Sequence, residues 1–175
     1  MGEKRIAWAI TGAGHALEGC IETLLNYEGV DVFLSRAAEE VVRMYGLGTR
    51  LHNPNVRFYR EAGASSPLVG RLFGGTYRIL VVAPATSNSV AKFIRGISDT
   101  LVTNLFAQAG KSRIPIVVYP TDLAPEMDSL GPCREPIKVY PRPIDLENTG
   151  KLMAFPGVTV VRDRAELEHC LSLYH

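Results

Sequence analysis

Short runs of apolar residues alternate with longer segments of helical period along most of this 175-residue chain. The runs are four or five residues long and several are apolar throughout, which is typical of strands buried on both faces of a parallel sheet. The predicted strands are residues 6–10, 30–34, 56–59, 79–83 and 116–119, with two weaker candidates at 137–139 and 158–161. The predicted helices are residues 16–26, 37–45, 87–95, 146–153 and 165–173.

Strands joined by helices lie parallel with right-handed crossovers, so the alternation predicts an α/β fold. We expect a doubly wound, Rossmann-like (flavodoxin-like), mostly parallel sheet with helices on both faces. No linker divides the chain, so residues 1–175 are expected to form one domain. The carboxyl ends of all strands open onto one edge of such a sheet, where ligands bind. Chemistry is therefore expected in the loops after Ile10, Leu34, Val82 and Tyr119.

Composition and charge argue against several classes of protein. Nineteen basic and 18 acidic residues leave a net charge of +1, and no stretch concentrates Lys and Arg with aromatic residues, so nucleic acid is not an expected partner. The apolar stretch that ends at Gly12 is too short for a signal sequence or a membrane span, which predicts a cytoplasmic protein. Cys20, Cys133 and Cys170 are widely spaced, which predicts free thiols and no metal site.

Two glycines, Gly12 and Gly14, stand in the loop after the first predicted strand and are followed by His15. Glycines in this place let backbone N–H groups approach a phosphate at the N-terminus of the next helix. The third glycine of the dinucleotide-binding fingerprint is missing, because Leu17 occupies its position. A phosphate site and a plain strand-to-helix turn are both compatible with the two glycines.

Ser35 and Arg36 follow the second predicted strand, where a protein that binds NAD would carry an acidic residue for the ribose hydroxyls. A hydroxyl followed by a cation suits a phosphate instead, which favours FMN or NADP over NAD. Ser35 is also suited to cap the helix that begins near Ala37. The two roles are compatible, because capping and phosphate binding use the same backbone N–H groups.

The loop after the fourth predicted strand has the densest group of polar side chains. Residues 83–89 read Ala-Pro-Ala-Thr-Ser-Asn-Ser. Its hydroxyl and amide groups belong to Thr86, Ser87, Asn88 and Ser89. Helix capping needs only one such group, so the cluster is suited to the polar edge or the phosphate of a planar cofactor. Further along, Asp99 is well placed to cap the following helix.

Residues 83–89, followed by 96–101, resemble the Pro-Ala-Ser-Ala-Asn-Thr region of the flavoprotein superfamily of homo-oligomeric flavin-containing cysteine decarboxylases. The similarity extends to Gly12 and Ser35 and covers about residues 6–122. It implies that the chain binds FMN through three loops, forms trimer-based oligomers, and places Asn88 at the neighbour's site. The predicted cofactor-binding residues are Gly12, Gly14, His15, Ser35, Arg36, Pro84, Ala85, Thr86, Ser87, Asn88, Ser89 and Asp99.

Two features separate the chain from the decarboxylase branch of that superfamily. The branch carries a catalytic His in a Pro-x-x-His context, where this chain has Pro67-Leu68-Val69-Gly70. The Met-Asn motif of the branch is replaced by Pro120-Thr121-Asp122 and the residues after it. Residues 99–104, 107–111, 119–122, 144–145 and 148 are instead similar to the archaeoflavoprotein and dihydromethanopterin reductase branch.

That second resemblance implies an FMN-dependent enzyme that reduces dihydromethanopterin to its tetrahydro form. The electron donor is a nicotinamide, a ferredoxin or another flavoprotein. The alternatives are a non-enzymatic flavin electron carrier, a phosphopantothenoylcysteine decarboxylase-like enzyme, and an NADP-dependent reductase with Arg36 on the ribose 2′-phosphate.

Two further side chains, His15 and Cys133, have groups that could act in catalysis. His15 is the candidate catalytic residue, as a proton donor to the substrate or a hydrogen-bond partner of the flavin. A surface capping role is its structural alternative. For Cys133 we expect an incidental thiol, because no base that would generate a thiolate stands near it in the sequence.

Overall fold

A six-stranded sheet forms the centre of the computed structural model, which describes residues 4–51, 53–54, 56–62 and 67–174. The ends of the predicted domain, residues 1–3 and 175, lie outside the described residues. The strands are β1 (Arg5–Ile10), β2 (Val30–Leu34), β3 (Val56–Arg60), β4 (Tyr77–Ala85), β5 (Ile116–Pro120), β6 (Met127–Leu130), β7 (Pro136–Val139) and β8 (Val158–Val160). The order in the large sheet is β3-β2-β1-β4-β5-β8, and every neighbouring pair is parallel.

Helices cover both faces of this sheet. They are α1 (Leu17–Leu25), α2 (Arg36–Met44), α3 (Ser87–Arg95), α4 (Leu101–Lys111), α5 (Pro143–Met153) and α6 (Arg164–Ser172), with a 3₁₀ segment at Pro67–Gly74. Buried residues of α1, α2 and α6 pack on one face, and those of α3, α4 and α5 pack on the other. The predicted doubly wound, mostly parallel fold with helices on both faces is therefore confirmed.

The central strands are apolar throughout because both of their faces are buried. In β1, Ile6, Trp8 and Ile10 contact the α1, α2 and α6 layer, while Ala7 and Ala9 face the other layer. Trp8 is fully buried, and its indole N–H donates to the Ala83 carbonyl oxygen at 2.9 Å. These contacts account for the continuous apolar runs from which the strands were predicted.

The weak strand candidate at 137–139 does not join the large sheet. It forms β7, which pairs antiparallel with β6, a strand that the sequence pattern did not predict. Both strands are largely exposed, so they cannot occupy a sheet that is covered on both faces. Residues 127–139 therefore make a separate unit, referred to below as the β6–β7 hairpin.

A buried carboxylate ties three strands together near the amino ends of the sheet. Asp31 of β2 is 0% exposed and accepts hydrogen bonds from Arg5 Nε of β1 at 2.8 Å and from the Tyr77 hydroxyl of β4 at 2.7 Å. The Arg71 guanidinium lies 3.9 Å from the same carboxylate. Burial and the hydrogen bond to Asp31 both raise the pKa of Tyr77, so its hydroxyl stays a donor.

Among the described residues, none of the helices is both long enough and apolar enough to cross a bilayer.

Candidate functional site

The order of the strands reverses between β1 and β4, and the loops that follow these two strands meet there. Thr11, the first residue of loop 1 (residues 11–16), joins them. Its hydroxyl donates to the Pro84 carbonyl oxygen at 2.9 Å and accepts from the Thr86 N–H at 2.9 Å. Thr11 is 3% exposed, so its buried hydroxyl fixes loop 1 against the start of α3. No motif in the sequence predicts this role of Thr11.

A cavity of about 280 Å³, the strand-end cleft, opens beside this junction. Five predicted site residues line it: Gly14, His15, Thr86, Ser87 and Asn88. The five lining residues that were not predicted as site residues are Ala13, Thr121, Asp122, Met127 and Val139. The structure therefore brings loop 1, the start of α3, the loop after β5 and the β6–β7 hairpin to one place.

The start of α3 supplies most of the hydroxyls of the cleft. Thr86 caps the helix: its hydroxyl accepts from the Ser89 N–H at 3.3 Å and lies 3.0 Å from the Ser89 hydroxyl. Ser89 is thereby used within the cap and does not line the cleft. Ser87 and Asn88 are left to face a ligand at the positive end of the helix dipole.

The start of α1 is suited to an anion for a different reason. Ala16 stands before the helix in the left-handed conformation, with φ of 60°, and no side chain within the described residues caps it. Backbone N–H groups in the first turn of a helix need a partner, and a phosphate is a common one. Gly14, two residues before Ala16, lines the cleft together with Thr86 and Ser87, whereas Ala16 and Leu17 line a neighbouring cavity.

Ser35 and Arg36 lie behind loop 1 and do not line the cleft. The Ser35 hydroxyl caps α2 by accepting from the Ala38 N–H at 3.0 Å. The Arg36 N–H donates to Glu61 at 3.0 Å, and the other oxygen of the same carboxylate accepts from the Leu101 N–H at 2.7 Å. The Glu61 carboxylate thus balances the partial positive charge at the starts of both α2 and α4. A phosphate at these helix starts would therefore meet a negative charge.

Two further predicted residues, Pro84 and Ala85, belong to a strand. The prediction that the strand ends at 83 is wrong, because β4 continues through Ala85, and both side chains are buried. Their carbonyl groups shape the cleft instead. Pro84 accepts from Thr11, and Ala85 accepts from the Thr121 N–H at 3.0 Å.

The prediction that Asp99 caps the next helix is also wrong. Thr100 is the cap of α4, and it exchanges hydrogen bonds with Thr103 in a reciprocal capping box. Asp99 is instead 53% exposed and pairs with Lys92 at 2.8 Å, at the end of α3 that lies away from the cleft. Its hydrogen bond from Lys92 lowers the pKa of Asp99. The structure does not bring Asp99 to the other predicted site residues.

His15 joins the cleft to the β6–β7 hairpin. Its Nδ1 lies 3.0 Å from the Ser129 hydroxyl, within hydrogen-bonding distance. Burial lowers the pKa of His15 from its ordinary value of 6.5, while the nearby Asp122 carboxylate acts in the opposite direction. A neutral imidazole at pH 7 suits a hydrogen-bonding role better than that of an acid.

We expect the lowered pKa of His15 to make the protein less stable as the pH falls below 6.5. The unfolded chain takes up a proton at His15 before the folded chain does, so the free energy of unfolding decreases through that window. Denaturant titrations between pH 5 and 8 measure this slope. His15→Asn should reduce it, and His169→Asn, which changes an exposed histidine of α6, should not. An unchanged slope in His15→Asn would contradict the prediction.

No three His, Cys, Asp or Glu side chains within the described ranges are grouped so that they could hold a metal ion. All three cysteines are free thiols, as predicted, and Cys133 is exposed on the β6–β7 hairpin.

A crevice at the point where a doubly wound sheet reverses, with hydroxyls and helix starts around it, is typical of α/β proteins that bind a phosphate-bearing ligand. A comparison with protein families identifies which of these proteins the chain is related to. It belongs to the Flavoprotein family, whose model matches residues 1–172. The predicted resemblance to flavoproteins is therefore confirmed.

Three relatives are informative. A dihydromethanopterin reductase (acceptor) of Methanosarcina mazei is 46% identical over 136 residues, which make up 70% of this chain and 57% of that protein. The chain thus spans little more than half of that enzyme. An uncharacterised protein of Methanocaldococcus jannaschii is 35% identical over 94% of the chain and 92% of its own length. The crystal structure of Burkholderia xenovorans DmrB in complex with FMN, a cubic protein cage for redox transfer, has a TM-score of 0.88 and 43% identity, covering 97% of this chain and 94% of that one.

Proposed function

We propose that this protein binds FMN and reduces dihydromethanopterin to tetrahydromethanopterin. The observation that carries the proposal is the likeness to DmrB, which was solved with FMN and matches almost the whole chain. The name of the Methanosarcina mazei relative supports the pterin as substrate. We also infer that residues 1–175 form one domain, because the family model spans residues 1–172.

The strand-end cleft fits a mononucleotide phosphate. Hydroxyls of Thr86, Ser87 and Thr121 line it, and Gly14, which shortly precedes the uncapped start of α1, allows close backbone approach. Ser35 and Gly12 do not line the cleft but support it indirectly: Ser35 caps α2, and Gly12 lets α2 pack against loop 1. Bound FMN would supply the electron-transfer chemistry, and the protein would anchor and orient it.

The structure gives a reason to prefer FMN to NADP. An NADP-dependent enzyme would need Arg36 and its neighbouring N–H groups for the ribose 2′-phosphate. Here the Glu61 carboxylate already accepts from the Arg36 N–H, and a second anion beside it would be repelled. A decarboxylase is also disfavoured, since no histidine occupies residues 67–70.

We propose that the protein is a trimer-based oligomer in which subunits complete each other's sites. The strand-end cleft, at about 280 Å³, is slightly smaller than a typical cofactor site, which measures about 300–1,000 Å³. Exposed apolar side chains lie on the hairpin and just after it: Leu130, Ile137, Tyr140 and Ile144. An apolar surface beside an incomplete cleft fits contact with a second copy, in which Asn88 would reach the neighbour's flavin.

The same proposal includes an electron donor and a location in the cytoplasm. The electron donor is a nicotinamide, a ferredoxin or another flavoprotein. An exposed free thiol at Cys133 fits the reducing environment of the cytoplasm.

The absorption spectrum of the purified protein and the identity of its released cofactor test the first half of the proposal. We expect a yellow protein that releases FMN. The photoreduced protein, mixed with dihydromethanopterin, should recover its flavin absorbance as one tetrahydromethanopterin forms per flavin. A colourless protein that does not bind added FMN would overturn the proposal. A yellow protein that reduces another carrier but no pterin would be a flavin electron carrier and not a pterin reductase.

A further inference from the structure

Asp122 is the only formally charged side chain among the described residues that line the strand-end cleft. It lies two residues after the end of β5 and is half-buried. His15, the other titratable side chain of the lining, is neutral at pH 7 because burial lowers its pKa below 6.5. A cofactor in the cleft would therefore share it with one negative charge.

No basic side chain within the described part of the chain forms an ion pair with this carboxylate. The Thr121 hydroxyl donates to it only over a long distance, 3.4 Å. Arg142 lies near enough for Asp122 to contribute to its raised pKa, but Asp145 is the larger cause. Asp145 holds the Arg142 guanidinium with two hydrogen bonds, of 2.9 and 2.8 Å. The charge of Arg142 is thus already balanced by Asp145, and that of Asp122 remains uncompensated.

The backbone of Asp122 is fixed by a buried side chain of α5. Its carbonyl oxygen accepts from the Thr149 hydroxyl at 3.0 Å, and Thr149 is 3% exposed. The nearby β6–β7 hairpin is also held in place, since the Tyr45 hydroxyl donates to the Leu130 carbonyl oxygen at 3.0 Å. The carboxylate therefore keeps a half-buried position, where a charge acts on its neighbours more strongly than it would on the open surface.

The cleft has two kinds of lining, which differ in charge. The part that follows β4 carries the hydroxyls of Thr86 and Ser87 at the positive end of the α3 dipole. The part that follows β5 carries Asp122 together with the apolar side chains of Met127 and Val139. A phosphate is attracted by the first part and repelled by the second, whereas an uncharged aromatic ring can contact the second. The cleft thus orients a mononucleotide with its phosphate at α3 and its ring toward Asp122.

Resting on the proposed function, we propose that Asp122 lowers the reduction potential of the bound FMN. The oxidised flavin ring is uncharged, and it gains one negative charge when it takes up two electrons and one proton. A carboxylate beside the ring opposes that gain, so the protein binds reduced FMN less tightly relative to oxidised FMN. The lower potential makes the reduced flavin a stronger electron donor to the second reactant.

Asp122→Asn tests the proposal, because asparagine keeps the size of the side chain and removes its charge. The purified holoprotein is equilibrated with a reference dye under anaerobic conditions at pH 7. At a given dye potential, the ratio of reduced to oxidised FMN should be about tenfold higher than in wild type, which corresponds to about 30 mV for a two-electron couple. Affinity for oxidised FMN, measured by quenching of flavin fluorescence, should not fall, whereas loss of a purely structural contact would lower it.

Two further variants control for the position and the charge of the carboxylate. Asp122→Glu keeps the charge, so its ratio of reduced to oxidised FMN should stay within about twofold of wild type. Asp128→Asn removes a carboxylate from the hairpin that is 84% exposed and paired with Lys138 at 3.0 Å. Its charge is screened by solvent and by Lys138, so this matched control should also stay within about twofold of wild type.

The outcomes separate this proposal from the proposed function. An unchanged or lower potential in Asp122→Asn, or an equal rise in Asp128→Asn, would overturn the role of Asp122 while FMN binding stands. If the wild type binds FMN but reduces no pterin, and Asp122→Asn has the higher potential, only the pterin reaction fails. If the wild type does not bind FMN, both the proposed function and the role of Asp122 are overturned.

Discussion

Asp31→Ala is expected to lower the free energy of unfolding by about 3–5 kcal/mol, the usual cost of removing one partner from a buried charged pair. The change leaves the Arg5 guanidinium and the Tyr77 hydroxyl without their acceptor at the junction of β1, β2 and β4. It also opens a cavity where the carboxylate was fully buried. Thermal denaturation should show a midpoint about 6–20 °C lower, given about 2–4 °C per kcal/mol for a chain of this size.

Two variants make that result interpretable. Asp31→Asn keeps the shape of the side chain and an acceptor for Tyr77 but removes the charge. It should therefore lower the free energy of unfolding less than Asp31→Ala does. Glu126→Ala breaks an ion pair with Lys138 in which both side chains are more than half exposed, and it should cost less than about 1 kcal/mol. If Asp31→Ala were as stable as Glu126→Ala, the buried cluster would not hold the strands together as described.

The sheet could be predicted because each of its strands leaves a local mark in the sequence. A strand covered by helices on both faces must be apolar at successive positions, as β1 and β4 are. The site could be predicted in part for a related reason. Parallel strands open onto one edge, so the polar residues at 86–88 and the glycines of loop 1 had to be neighbours.

The parts that could not be predicted depend on contacts between distant residues. Tyr45 and Leu130 are 85 positions apart, and Glu61 reaches Leu101 across 40. The hairpin strand β6 is short, alternately exposed and polar, so it lacks the apolar run that marked the others. Asp99 lies next to the start of α4 and is a residue type suited to capping, but Thr100 and Thr103 satisfy each other reciprocally, which one carboxylate cannot do.

Gly12 packs directly against Ala37 of α2, and it has no room for a side chain. A Cβ atom there would lie 2.5 Å from the Cβ of Ala37 and 3.2 Å from its backbone carbonyl carbon. Neither atom belongs to a flexible side chain, so the clash can be relieved only by moving α2 away from loop 1. Since Ser35 caps α2 and loop 1 lines the cleft, such a shift disturbs the proposed phosphate site from behind.

Gly12→Ala is therefore expected to weaken FMN binding about 5- to 150-fold, equivalent to about 1–3 kcal/mol of overpacking, in fluorescence titrations of the folded apoprotein. Circular dichroism of the same samples separates this effect from unfolding. Gly110→Ala, in α4 with open space around its Cβ position, is the matched control and should bind FMN as wild type does. The double variant Gly12→Ala/Ala37→Gly removes the closest atom and should recover part of the lost affinity. Undiminished FMN affinity in Gly12→Ala would show that contact between loop 1 and α2 does not control the phosphate site.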